Sequence, residues 1–163
     1  MRSLFCRVSW EPVRRTLIVG AIAASASTGA LIAAGHRVGS AMLPFAGIGA
    51  VAYGRVPTGA SRPLVAAGVV VHLATTLLWS AAFIGLVDRT RIRPRSAAAI
   101  IGTGQLGLSW LVASSSGKGM ATLLPLGDRL VVAAVLVGAM VAGMRFAPHR
   151  PWQEPPEPEL RPL

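Results

Sequence analysis

Four apolar stretches, each close to twenty residues long and separated by connectors that carry arginine or lysine, constrain this chain more than any other feature. A helix rises 1.5 Å per residue, so about 20 apolar residues cross the ~30 Å hydrocarbon core of a bilayer. The stretches are 16–35 (TLIVGAIAASASTGALIAAG), 64–87, 97–115 (AAAIIGTGQLGLSWLVASS) and 128–146, whose two leading charges sit at the outer edge. A shorter one, 41–54 (AMLPFAGIGAVAYG), contains Pro44 and falls in the length range of re-entrant or interfacial segments. With 53% hydrophobic residues and only 13% charged, a chain of 163 residues could not bury so much apolar surface in a soluble core. The expected fold is therefore all-α: an integral membrane bundle of four transmembrane helices, with a short re-entrant or interfacial segment after the first.

Arginine placement decides between four spans and five. Short cytoplasmic loops carry the Lys/Arg excess. With four spans and a cytoplasmic N-terminus, eleven basic residues fall inside and five outside. The inside set includes Arg14, Arg15 and the run Arg89, Arg91, Arg93 and Arg95. Counting 41–54 as a fifth span would level the tally at eight against eight. The four-span reading gives residues 1–15 as a cytoplasmic segment, 16–146 as the membrane domain and 147–163 as a disordered, Pro-rich cytoplasmic tail. The apolar run of the first span outlasts the 7–15 residues of a signal-peptide core, so a retained anchor is expected.

The net charge of +10 admits nucleic acid as a partner, but the arginines sit between apolar runs and not on one face with interleaved aromatics. They fit membrane-flanking loops able to hold anionic lipid head groups. The high ratio of arginine to lysine in an Ala/Gly-rich chain points to a GC-rich bacterial genome, and so to a bacterial cytoplasmic (inner) membrane. Cys6 is the single cysteine, which rules out an intramolecular disulfide.

Helices in lipid associate through close packing of small residues and through polar side chains. Small residues recur at four-residue spacing as Ala21, Ser25, Gly29 and Ala33 in the first span and Ala134, Gly138 and Ala142 in the last, and Gly68, Thr76 and Ser80 share one stripe of the second. Each stripe is expected to face a neighbouring helix. Polar side chains converge at one depth, slightly outside the midplane: Ser25, Ser27 and Thr28 from the first span, His72, Thr75 and Thr76 from the second, and Gln105 and Ser109 from the third. The last span offers no polar side chain between Leu130 and Met144 and forms an apolar wall. Unpaired polar groups in hydrocarbon cost a few kcal/mol each, so these should face one another. His72 is expected to be a neutral imidazole that joins helices by hydrogen bonding. Its functional alternative is a ligand for haem, metal or quinone, because ionisable groups within a membrane often mark sites.

Gly68, His72, Leu73, Thr76 and Trp79 form a pattern that resembles the G-x-x-x-H-L-x-x-[ST]-x-x-W helix of small, uncharacterised bacterial membrane proteins with four helices. The likeness runs from Ala41 to Val87, under a third of the chain. Thr76 stands where serine is usual and Ser80 where glycine is common, and Asp128–Arg129 replaces a histidine that often opens the last helix of such proteins. The resemblance implies a four-helix fold and no activity.

No Asp or Glu lies between the edges of any span, which disfavours proton-coupled export of the small multidrug type. The sequence holds no Ser–His–acid set, Walker loop or H-E-x-x-H motif. The expectation is a non-enzymatic structural or accessory subunit without cofactor or metal, packing as a homo-oligomer or in a larger membrane complex. The alternatives are a small transporter or channel-like protein that uses the polar layer around His72 and Gln105, or the His72-centred site.

Overall fold

The computed structural model describes residues 10–53, 59–116 and 123–148, with no account of the side chains of 52 and 112–116. Cys6, Arg55, Lys118 and the Pro-rich tail from 149 onward lie outside the described residues. The described residues form five helices: α1 (Trp10–Arg37), α2 (Leu43–Ala52), α3 (Arg62–Thr90), α4 (Pro94–Ser116) and α5 (Leu126–Gly143). There is no strand among them. Three helices, α1, α3 and α5, are long and apolar enough to cross a membrane.

Local chemistry sets the helix ends. α1 stops at a turn in which Gly39 takes φ 105°, and the Ser40 amide donates back to the Gly35 carbonyl at 2.9 Å. α3 opens with Pro63 in its first turn, where a missing N–H costs nothing. It closes at Arg91, whose left-handed φ of 54° is the positive value among the described non-glycine residues. The Arg91 amide caps the Val87 carbonyl at 3.0 Å. Pro94 then starts α4 with its φ already helical, so only 91–93 separate the two helices.

The segment expected to be re-entrant or interfacial is helical. α2 has 10 residues, about 15 Å of rise, half of a hydrocarbon core. It packs along the N-terminal half of α3 at near backbone contact. A methyl group added at Gly68 would run into the Phe45 carbonyl oxygen, and one at Gly49 would meet the Leu64 carbonyl. Inside α2 the helix bonds its own backbone groups, so this segment is not the irregular chain that hydrocarbon would exclude.

α1 runs antiparallel to α3 and α5. At one end the Arg15 guanidinium meets Asp88 near the end of α3 and the Ala147 carbonyl beyond α5. At the other, Arg37 closes on Asp128 at the start of α5. Two apolar clusters follow. One joins Val19, Ala23, Phe83, Ala97, Leu136 and Met140. The other joins Leu31, Ala34, Phe45, Leu124 and Val132.

The small-residue stripes are corrected for two of the three helices. On α1, Ala21, Ser25, Gly29 and Ala33 are exposed, and a Cβ at Gly29 would meet nothing within 4 Å. The face that packs instead carries Val19, Gly20, Ala23, Ala24, Ser27 and Leu31. On α5, Ala134, Gly138 and Ala142 point outward, while Val132, Ala133, Leu136, Met140 and Gly143 pack. The α3 stripe is buried as expected at Gly68, Thr76 and Ser80.

Candidate functional site: a polar belt and a buried ion pair

Two features stand out from the apolar bundle. The first is a polar belt between the two clusters. Ser27 lies on α1 between Ala23 and Leu31, and His72 and Thr76 lie on α3 between Val69 and Phe83. The Ser27 hydroxyl and the His72 Nε2 are 3.1 Å apart. Ser27 also reaches the Ala24 carbonyl at 3.3 Å. A hydroxyl bonded to a carbonyl of its own helix can still exchange a hydrogen bond with a second partner, because it both donates and accepts. The Phe45 and His72 rings meet in a T-shaped contact, with centroids 5.9 Å apart and planes at 77°. Three helices therefore converge on this histidine: α1 through Ser27, α2 through Phe45, and α3, which carries it.

Thr76 is 2% exposed and Ser80 fully buried. Ser80 donates to the Thr76 carbonyl at 2.8 Å, a bond within the helix that satisfies the hydroxyl where it faces Gly20 of α1. The glycine at 20 is what lets Ser80 and Leu77 come so near: a Cβ there would stand 2.6 Å from the Leu77 side chain.

The remaining members of the expected polar layer do not join it. Ser25 is exposed and bonds back to the Ala21 carbonyl at 2.9 Å. Thr75 is exposed and bonds to the carbonyls of Val71 and His72. Thr28 is half-buried. Ser109 is exposed, because α4 packs through Ala97, Ala98 and Ile101 near its start and then presents Leu108, Trp110 and Leu111 outward. The Gln105 Oε1 is buried with no hydrogen-bond partner. No hydrogen bond joins it to His72 among the described residues.

The second feature is one the sequence reading missed. Arg15 is 2% exposed, one of the largest fully buried side chains. Its Nη1 lies 2.8 and 2.7 Å from the two Asp88 carboxylate oxygens. Its Nε donates to the Ala147 carbonyl at 3.2 Å, and its Nη2 lies 3.8 Å from the Met144 sulfur. Arg15 is thus not a head-group ligand: its charge is spent on tying α1 to the ends of α3 and α5. The adjacent Arg14 faces outward and pairs with Glu11 at 2.8 Å. Arg89, Arg91, Arg93 and Arg95 are exposed at this same end, as a head-group role requires. The signal for the pair was present, since Asp88 is the one acidic residue near the end of α3, but nothing local indicates which of several arginines it meets.

Among the described residues no three His, Cys, Asp or Glu side chains come together in a way that could hold a metal ion. No protein-family model, curated protein or solved structure matches this chain.

Proposed function

We propose that the chain is a multi-pass protein of a bacterial cytoplasmic membrane that crosses the bilayer four times, α4 supplying the fourth crossing, with both termini in the cytoplasm. It acts as a non-catalytic structural or accessory subunit, alone as a homo-oligomer or within a larger membrane complex. The observation that carries this reading is that most of the described polar groups inside the bundle, the unpartnered Gln105 Oε1 apart, are bonded to other parts of the protein. His72 meets Ser27 and Arg15 meets Asp88 and Ala147, each between elements, while Ser80 is satisfied within α3 by the Thr76 carbonyl. Groups committed to internal bonds hold helices together; a conduction path or catalytic centre needs groups left free for a substrate. The exterior supports the membrane placement, with Val70, Leu78, Trp110 and Phe146 each about two-thirds exposed. Soluble monomers seldom expose continuous apolar surface on this scale. The likeness of the Gly68–Trp79 helix to four-helix bacterial membrane proteins agrees.

Sidedness follows from charge. The end that gathers Arg14, Arg89, Arg91, Arg93, Arg95 and Arg145 is the cytoplasmic one. Reporter fusions test it: a fusion after Arg95 should read as cytoplasmic and one after Tyr53 as periplasmic. A periplasmic reading after Arg95 would overturn the topology. Mild extraction followed by native mass spectrometry tests the subunit role. A strictly monomeric protein without a partner would count against it.

A further inference from the structure

Between α1 and α3, at the arginine-rich end, runs an open furrow of about 470 Å³. Its α3 wall is Leu77, Ala81, Gly85 and Arg89; Val13 and Leu17 form much of its α1 wall. The furrow exists because α3 is small at two consecutive turns. A Cβ at Gly85 would meet nothing within 4 Å, and Ala81 is exposed. From Leu77 to Arg89 the furrow follows twelve residues of helix, about 18 Å. That is a little over half of the ~30 Å hydrocarbon thickness, the depth of one leaflet. Its lining is apolar apart from Thr16 on α1 and is charged only at the mouth, at Asp88 and Arg89. Asp88 is already neutralised by Arg15, so the mouth is left cationic through Arg89, beside the exposed arginines of the α3–α4 turn.

We propose that this furrow is a binding site for one anionic phospholipid of the inner leaflet, its acyl chain along Leu17, Ala81 and Gly85 and its phosphate on Arg89. This rests on the membrane topology proposed above. A phosphate contact satisfies both demands of the site: a monoanion at the level of Arg89 and a thin, flexible apolar chain below it. Lodging the chain buries methylenes in a furrow that lipid would fill in any case, so selectivity comes from the head group. One arginine near the surface contributes about 1 kcal/mol toward an anionic lipid, about a fivefold preference.

The test uses the full chain extracted in mild detergent, with native mass spectrometry during titration by phosphatidylglycerol or phosphatidylcholine. The wild type should retain one phosphatidylglycerol with a preference of about fivefold. Arg89→Gln should abolish the preference. Gly85→Leu, which fills open space, should remove the retained lipid while circular dichroism shows an unchanged helix content. Retention by Gly85→Leu, or an undiminished preference in Arg89→Gln, would overturn the proposal. So would loss of a second copy or of a bound polypeptide from Gly85→Leu, because the furrow would then seat a helix. Release of the wild type from membranes by alkaline carbonate without detergent would sink the membrane topology itself, a different failure.

Discussion

Asp88→Asn is the most informative single change, because it separates burial of a charge from attraction between charges. In the native protein Arg15 is 2% exposed and Asp88 has a side chain 32% exposed. Removing one partner of a fully buried pair costs about 3–5 kcal/mol, since the other charge stays behind uncompensated. Exposed pairs contribute about 0–1 kcal/mol. Here one partner is buried and the other is partly wet, and Arg15 keeps its bond to the Ala147 carbonyl at 3.2 Å. An intermediate loss of about 2–3 kcal/mol follows. The assay is reversible unfolding in mixed micelles, followed by circular dichroism. The double variant Arg15→Met with Asp88→Leu replaces the pair by apolar groups of similar size and should recover most of the loss. Two results would refute the reasoning. One is a loss below about 1 kcal/mol for Asp88→Asn, the upper limit for an exposed pair. The other is a double variant less stable than either single one, which would mean the attraction itself, and not the stranded charge, holds the helix ends.

Three other outcomes are expected. Gly68→Ala should destabilise by about 1–3 kcal/mol through overpacking, because its methyl runs into the Phe45 carbonyl, whereas Gly138→Ala, facing open space, should be neutral or stabilising by up to about 1 kcal/mol; micelle unfolding measures both. His72→Leu should cost about 0.6–2 kcal/mol, the range for one interhelical hydrogen bond in a membrane, and a far larger loss in the same assay would show the belt to be more than one bond. Leu136→Ala should cost about 2–5 kcal/mol, because Leu136 is 1% exposed in the cluster shared by α1, α3, α4 and α5; a loss under about 1 kcal/mol would mean that α5 is loosely held.

Helix α3 was the most legible part of the chain. Gly68, His72, Thr76 and Ser80 recur at four-residue spacing among bulkier neighbours, and all four turn out to face other helices. The first and last helices were misread for a physical reason. In a soluble protein the buried face is marked by contrast, apolar against polar. In α1 and α5 both faces are apolar and both carry small residues, so spacing alone could not show which face packs. The face is chosen by fit: Gly143 comes within 3.1 Å of the Val19 backbone when a Cβ is placed on it, a closeness that only the partner helix defines.

The sequence by itself determined that α1, α3 and α5 are apolar enough to cross a bilayer and that arginines crowd the connector between α3 and α4, because transfer free energy and loop charge are sums over local residues. Only the tertiary structure decided that Ser27, and not Ser25, meets His72, that Gln105 and Ser109 stay apart from them, and that Arg15 is enclosed by Asp88 and Ala147. Those are choices of rotation and tilt among helices whose surfaces are nearly uniform in polarity. They are settled by steric complementarity between segments as far as 132 residues apart, which no local property of the chain encodes.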